Sequence, residues 1–206
     1  VEASGRTRKG LGRVPRRNQE RWKRERKSGK GQGSRQSRPS TRAETAQMTD
    51  ILSYNGGTIV AMAGDRCVAI ASDRRLGVQY TTIATDMTRV FKMHDRLLLG
   101  LTGLATDLTT LRNLFNFRLN LYKMREGRLI KPKTFANLVS STLYAKRFGP
   151  YFCEPVIAGL DDEGNPFLCA MDLLGASSND DSFVVCGTSA ESLLGTCETF
   201  YQPGLG

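Results

Sequence analysis

Short apolar, β-branched runs separated by turn residues flank a helical block, and this order constrains the chain more than any other feature. "GTIVAMAG" and "CVAIASD" are joined through "GDR", and "RVFKM" and "RLLLGLTG" bracket "HD". Both pairs read as β-hairpins. Their near-continuous apolar character predicts strands covered on both faces, as in a sandwiched sheet. Leu108, Leu111, Phe115, Leu119 and Tyr122 then recur at helical spacing. Asp107 near the start and "REG" at the end suit the cap and dipole preferences of that helix. A second helix follows "IKP", with Pro132 in its first turn and Phe135, Leu138, Val139, Thr142 and Leu143 along it. "EPVIAGLD", "NPFLCAMDLLG" and "SFVVCG" form a second strand set. A third helix, from about Ser189 to Phe200, carries Leu193, Leu194 and Cys197. Strands, two helices, strands and a helix predict an α+β fold in which two stacked sheets are flanked by helices.

Charge divides the chain in two. The formal net charge is +10, yet residues 1–47 alone carry 15 Lys and Arg against 4 acids, and the remainder sums to −1. The basic stretch holds one aromatic residue, Trp22. Such a composition buries too little apolar surface to offset ordering entropy, so a disordered tail is expected over 1–47 and a folded domain over 48–206. The tail has no signal-peptide core. It faintly resembles a transit peptide, and it suits a nuclear-localisation or RNA-binding segment. The first methionine is Met48, and "MTDILSYNGG" reads as a domain start, which favours a tail from translated upstream sequence over a functional one. The near-neutral body carries no nucleic-acid footprint, and no apolar run reaches the length of a membrane span.

Cys67, Cys153, Cys169, Cys186 and Cys197 are odd in number and lack CxxC spacing. They read as reduced core residues of a cytosolic or nuclear protein. One histidine, His94 in "KMHDRL", leaves a Ser-His-Asp triad and a metal site without support, so no metal and no cofactor are expected.

"SYNGG", "VAIASDRRLGVQ", "DRLLLGLTGLATD", "FRLNLY", "EGRLIKP", "KRFGPYFCEPVIAGLD" and "DDSFVVCGTSAE" occur in that order, and together they resemble the proteasome beta subunits from about Ile51 to Gly206. The resemblance implies an N-terminal-nucleophile hydrolase fold, a four-layer αββα sandwich. It implies a seat in the seven-membered beta ring of the 20S core, in the cytoplasm and nucleus. The partners it implies are two ring neighbours, the opposite beta ring and the alpha ring. Family members continue past the point reached here, so a chain shortened at its C-terminus is expected. In "KRFGPYFCEP", aromatics beside basic residues would suit nucleic acid in a monomer, but in this family a subunit contact.

Active members of that family use a cleavage-exposed threonine as nucleophile, activated by an adjacent base. The resemblance places the family aspartate on Asp73, the lysine on Arg89, the oxyanion glycine on Gly103, an upstream serine on Thr188 and the nucleophile on Gly57. Glycine has no hydroxyl. Thr58 is one residue late, which moves a strand side chain by about 3.3 Å and turns it to the other face. Arginine stays charged and is no substitute for a lysine ammonium. Two readings follow: a non-catalytic beta-ring subunit that helps enclose the chamber for ubiquitin-dependent degradation, or an active threonine endopeptidase cut between Gly57 and Thr58. The first is favoured. In it, Asp73 is a buried carboxylate taking backbone hydrogen bonds, Gly103 serves a turn, Arg89 pairs with an acid, and Thr58 is an ordinary strand residue.

Overall fold

The structure, a computed structural model, describes residues 50–204. The expectations of a disordered tail and of a boundary at residue 48 fall outside the described residues.

A five-residue helix, α1 (Ile51–Asn55), leads into the first hairpin, β1 (Thr58–Gly64) and β2 (Cys67–Ser72). A small hairpin of β3 (Leu76–Val78) and β4 (Thr81–Ala84) comes next. It is followed by β5 (Val90–His94) and β6 (Leu97–Gly103). Helices α2 (Ala105–Glu126) and α3 (Pro132–Tyr144) form the central block. The chain then returns through β7 (Cys153–Leu160), β8 (Pro166–Met171), β9 (Ser177–Asn179) and β10 (Phe183–Gly187), and α4 (Ala190–Phe200) follows.

Two antiparallel sheets stack face to face. One has the order β5-β6-β7-β8-β9, the other β10-β1-β2. Leu97, Leu99 and Leu101 of β6 and Ile157 of β7 point at Leu108, Leu111 and Phe115 of α2 and at Phe135, Val139 and Leu143 of α3. Phe115 meets Phe135 edge-on at 5.8 Å between centroids, a pairing worth about 1 kcal/mol beyond its burial. On the other side of the same sheet, Val156, Ala158 and Leu168 pack against Ile59, Ala61 and Ala63 of β1 and Val184 of β10. Tyr201, just past α4, donates from its hydroxyl to the Ala63 carbonyl at 3.4 Å and its ring packs on Phe183. That puts α4 on the outer side of the three-stranded sheet. The layers are therefore α2 and α3, the five-stranded sheet, the three-stranded sheet, and α4: the αββα sandwich expected from the sequence.

Local chemistry accounts for the boundaries. Pro132 opens α3, where its missing N–H costs nothing. Gly127 closes α2 in the left-handed region and donates to the Lys123 carbonyl. Asp107 lies in the first turn of α2, as the dipole preference expects, and its carboxylate also accepts from the Phe152 amide at 2.8 Å, tying α2 to the approach to β7.

Two expectations need correction. β6 and β7 are buried on both faces, but β1 alternates and β2 leaves Cys67, Ala69 and Ala71 exposed. An apolar run shows that a strand can be covered twice, and only packing decides whether it is. Cys67 is accordingly on the surface, whereas Cys153, Cys169 and Cys197 are core residues and Cys186 is half-buried.

Candidate functional site

The two sheets diverge at the end where β1 starts and β6 finishes. A cleft of about 270 Å³ opens there, lined by Gly57, Thr102, Gly103, Glu154, Gly187 and Thr188, with Asp50, Leu52 and Ser53 along one wall. Sequence-predicted positions Gly57, Gly103 and Thr188 meet in it.

Register settles the relation of Gly57 to Thr58. Thr58 begins β1 opposite Gly187 of β10. Side chains alternate along a strand, so Thr58 shares the outer face of Val60 and Met62, opposite to Ile59 and Ala61, which look into the core between the sheets. The Thr58 hydroxyl accepts from the Ser189 amide at 3.3 Å, at the start of α4. Its amide donates to Asp73 Oδ1 at 2.9 Å. Thr58 and Asp73 line an adjoining depression of about 660 Å³ that shares Gly57 and Thr188 with the cleft but does not include Gly103.

At Gly57 the backbone has φ +112°. A Cβ built there would lie 2.5 Å from Arg89 Nε and closer still to Cζ. The Arg89 guanidinium thus occupies the space that a side chain at position 57 would need. Arg89 has no solvent exposure at all. Its Nη2 donates to the Arg75 carbonyl at 2.7 Å, and Nε stands 3.1 Å from Asp73 Oδ1. The latter is a charge contact rather than an aligned hydrogen bond, and neither Nε nor Nη1 has a hydrogen-bond partner among the described residues.

Asp73 is more open than expected, with 39% of its side chain exposed. It still does the predicted structural work, accepting from the amides of Thr58 and Arg75. Gly103 also departs from expectation. It does not make a turn; it is the last residue of β6, with φ +116°, and a Cβ there would sit 2.9 Å from Cys153 Cα and nearer to the Phe152 carbonyl oxygen. Close approach of two backbones demands glycine. Thr188 donates its amide to the Gly57 carbonyl at 3.1 Å.

Two site residues escaped the sequence reading. Glu154 of β7 is half-buried and lines the cleft and an adjoining groove. Burial pushes its carboxyl above the usual range, the charges of Asp50 and Asp172 add to this, and a hydrogen bond from the Gly187 backbone opposes it. Asn55 is buried at the end of α1 and reaches two distant elements. An Asn before Gly-Gly reads only as a turn residue, and nothing local in "CEP" marks Glu154 as lining a cleft.

The site therefore joins a glycine just before β1, a buried guanidinium over it, an aspartate that accepts from the Thr58 amide and lies beside that guanidinium, and a glycine across the cleft. The model of the family described as "Proteasome subunit" matches residues 53–206. The chain belongs to the proteasome subunit family. Among curated relatives, "Proteasome subunit beta type-3" of Picea mariana is 59% identical over 155 residues, covering 75% of this chain and 76% of the relative. "Probable proteasome subunit beta type-3" of Schizosaccharomyces pombe is 57% identical, with the same shares covered. The Drosophila melanogaster protein named "Proteasome subunit beta type-3" is 55% identical over 156 residues, again covering 75% and 76%. Within this family frame, the described residues hold no cluster of three or more His, Cys, Asp or Glu able to bind a metal, and no helix long and apolar enough to cross a membrane.

Proposed function

We propose that this chain is a structural beta subunit of the proteasome core, similar to beta type-3, which helps form the beta ring and its chamber and cleaves no peptide itself. The observation that carries the reading is the Arg89 guanidinium in the side-chain space of position 57. Catalysis by a threonine needs a hydroxyl in the cleft and a nearby group able to accept its proton. Gly57 offers no hydroxyl, and a guanidinium keeps its proton at any physiological pH. Thr58 offers a hydroxyl on the wrong face, already engaged by the start of α4. Asp73, Gly103 and Thr188 keep their places because the fold uses them: Asp73 and Thr188 tie β1 down at its start, and Gly103 admits the Phe152 backbone.

The partners in this reading are other proteasome subunits, with two beta-ring neighbours, the opposite beta ring and the alpha ring in contact, in cytoplasm and nucleus. Tyr144 and Phe148 are exposed, with Arg147 stacked near both rings, and this surface suits a subunit contact. The domain comprises residues 48–206, with 1–47 a basic extension. Treating assembled particles with a threonine-directed covalent inhibitor tests the reading. Active subunits take the label and this one stays unlabelled; a covalent adduct on Thr58 would overturn it.

A further inference from the structure

Residues 50–57 do more than lead into β1. We propose that they form a strap along one wall of the cleft, latched by Asn55, so that the same side chain holds that wall and anchors helix α2. The inference rests on the reading that the Gly57–Thr58 bond stays intact.

A five-residue helix has too few internal hydrogen bonds to hold its own shape. α1 is held from outside. Asn55 Nδ2 donates to the Gly77 carbonyl in β3 at 3.1 Å, and Asn55 Oδ1 accepts from the Ala105 amide at 3.0 Å. The Gln79 amide also reaches the Tyr54 carbonyl at 3.4 Å. Ala105 is the first residue of α2, and its amide is one of the donors a helix leaves without an internal partner. Leu104, preceding it, offers no side-chain cap. Asn55 therefore supplies from 50 residues away the acceptor that an N-cap residue supplies locally. Both ends of its amide are used, and the residue is buried, so the strap has a defined seat rather than a loose lie. Asp50, Leu52 and Ser53 then stand as one wall of the cleft that also contains Gly57 and Gly103. A polypeptide approaching Gly57 along that side would meet the strap first. Removing the strap would take from Ala105 the acceptor that Asn55 supplies, so the cleft wall and the stability of the helix are coupled.

Hydrogen exchange read by mass spectrometry on the full-length chain tests this. Asn55→Ala should speed exchange about ten-fold in residues 51–57 and at 105–107, consistent with loss of a cap, while amides of β6 and β7 keep their native rates. Asn55→Asp retains an acceptor for Ala105 but loses the donor to Gly77, so it should protect 105–107 as the native chain does and release 51–57. Unchanged exchange at 51–57 in Asn55→Ala overturns the latch, as does an equal rise throughout the sheets. Failure of Asn55→Asp to protect 105–107 overturns the capping role. Intact mass recorded on the same samples separates this from the underlying reading: a break at Gly57–Thr58 contradicts the non-catalytic assignment, whatever the exchange rates show.

Discussion

Gly57 and Gly103 line one cleft with nearly the same backbone, φ +112° and +116°, and each would drive a Cβ into a neighbour. The neighbours differ. At Gly57 the obstacle is a side chain, the Arg89 guanidinium; at Gly103 it is backbone, the Phe152 carbonyl and the Cys153 Cα. A side chain can be exchanged by mutation and a main chain cannot. Gly103 is thus required by the fold, since β6 and β7 are paired along their whole length up to Gly103 and Cys153. At Gly57 the positive φ already disfavours a side chain, and Arg89 adds a clash that a second substitution can remove. One end of the cleft is fixed by the architecture and the other by a pair of residues that fit one another.

The largest expected effect tests the fixed end. Gly103→Ala adds backbone strain to a clash that only strand separation relieves, so chemical denaturation should show a loss of roughly 3–5 kcal/mol or no folded protein. A loss under about 1 kcal/mol would break the comparison.

Gly57→Ala should cost somewhat less, about 2–4 kcal/mol, because the guanidinium can shift part-way. The informative experiment is the cycle with Arg89→Ala. The double variant should be more stable than the sum of the two single losses implies, by about 1–3 kcal/mol. Additive losses would mean that Arg89 does not occupy the position-57 space. Asp73→Asn sharpens the same end. It leaves Arg89 buried with its nearest charge removed, a situation that costs about 3–5 kcal/mol for a fully buried pair; the exposure of Asp73 reduces the expected loss to about 1–2 kcal/mol.

The smallest effect concerns Glu154, which lies between the two glycines. Its carboxyl is raised in the folded chain, so the folded state holds the proton more tightly than the unfolded one. The stability it contributes is present at low pH and is lost as pH rises through the ordinary carboxyl range toward the folded value. Glu154→Gln should therefore raise Tm at pH 7 by a few degrees and leave it nearly unchanged near pH 4. An equal gain at both values would remove the electrostatic explanation.

Much of this was legible in the sequence, and the reason lies in local signals. The hairpins β1–β2 and β5–β6 carry turn residues between apolar runs, and α2 and α3 carry unbroken helical spacing with Gly127 and Pro132 at their ends. The vacancy at position 57 was legible too, since a glycine cannot be a nucleophile. What filled it was not. Arg89 and Gly57 are 32 residues apart; the family resemblance places both at one site, but nothing in the sequence says that the guanidinium fills the position-57 space, and Asn55 reaches 50 residues to Ala105. Both contacts depend on how the sheets stack. The exposed face of β2 has the same cause, because its alanines look alike on a covered and an open face.

A non-catalytic subunit requires the Gly57–Thr58 junction to be a continuous strand entry and not a processing point. Intact-mass measurement of this subunit taken from assembled particles tests it directly. The expected mass is one in which residues 50–57 remain joined to Thr58. A mature subunit beginning at Thr58 would contradict it.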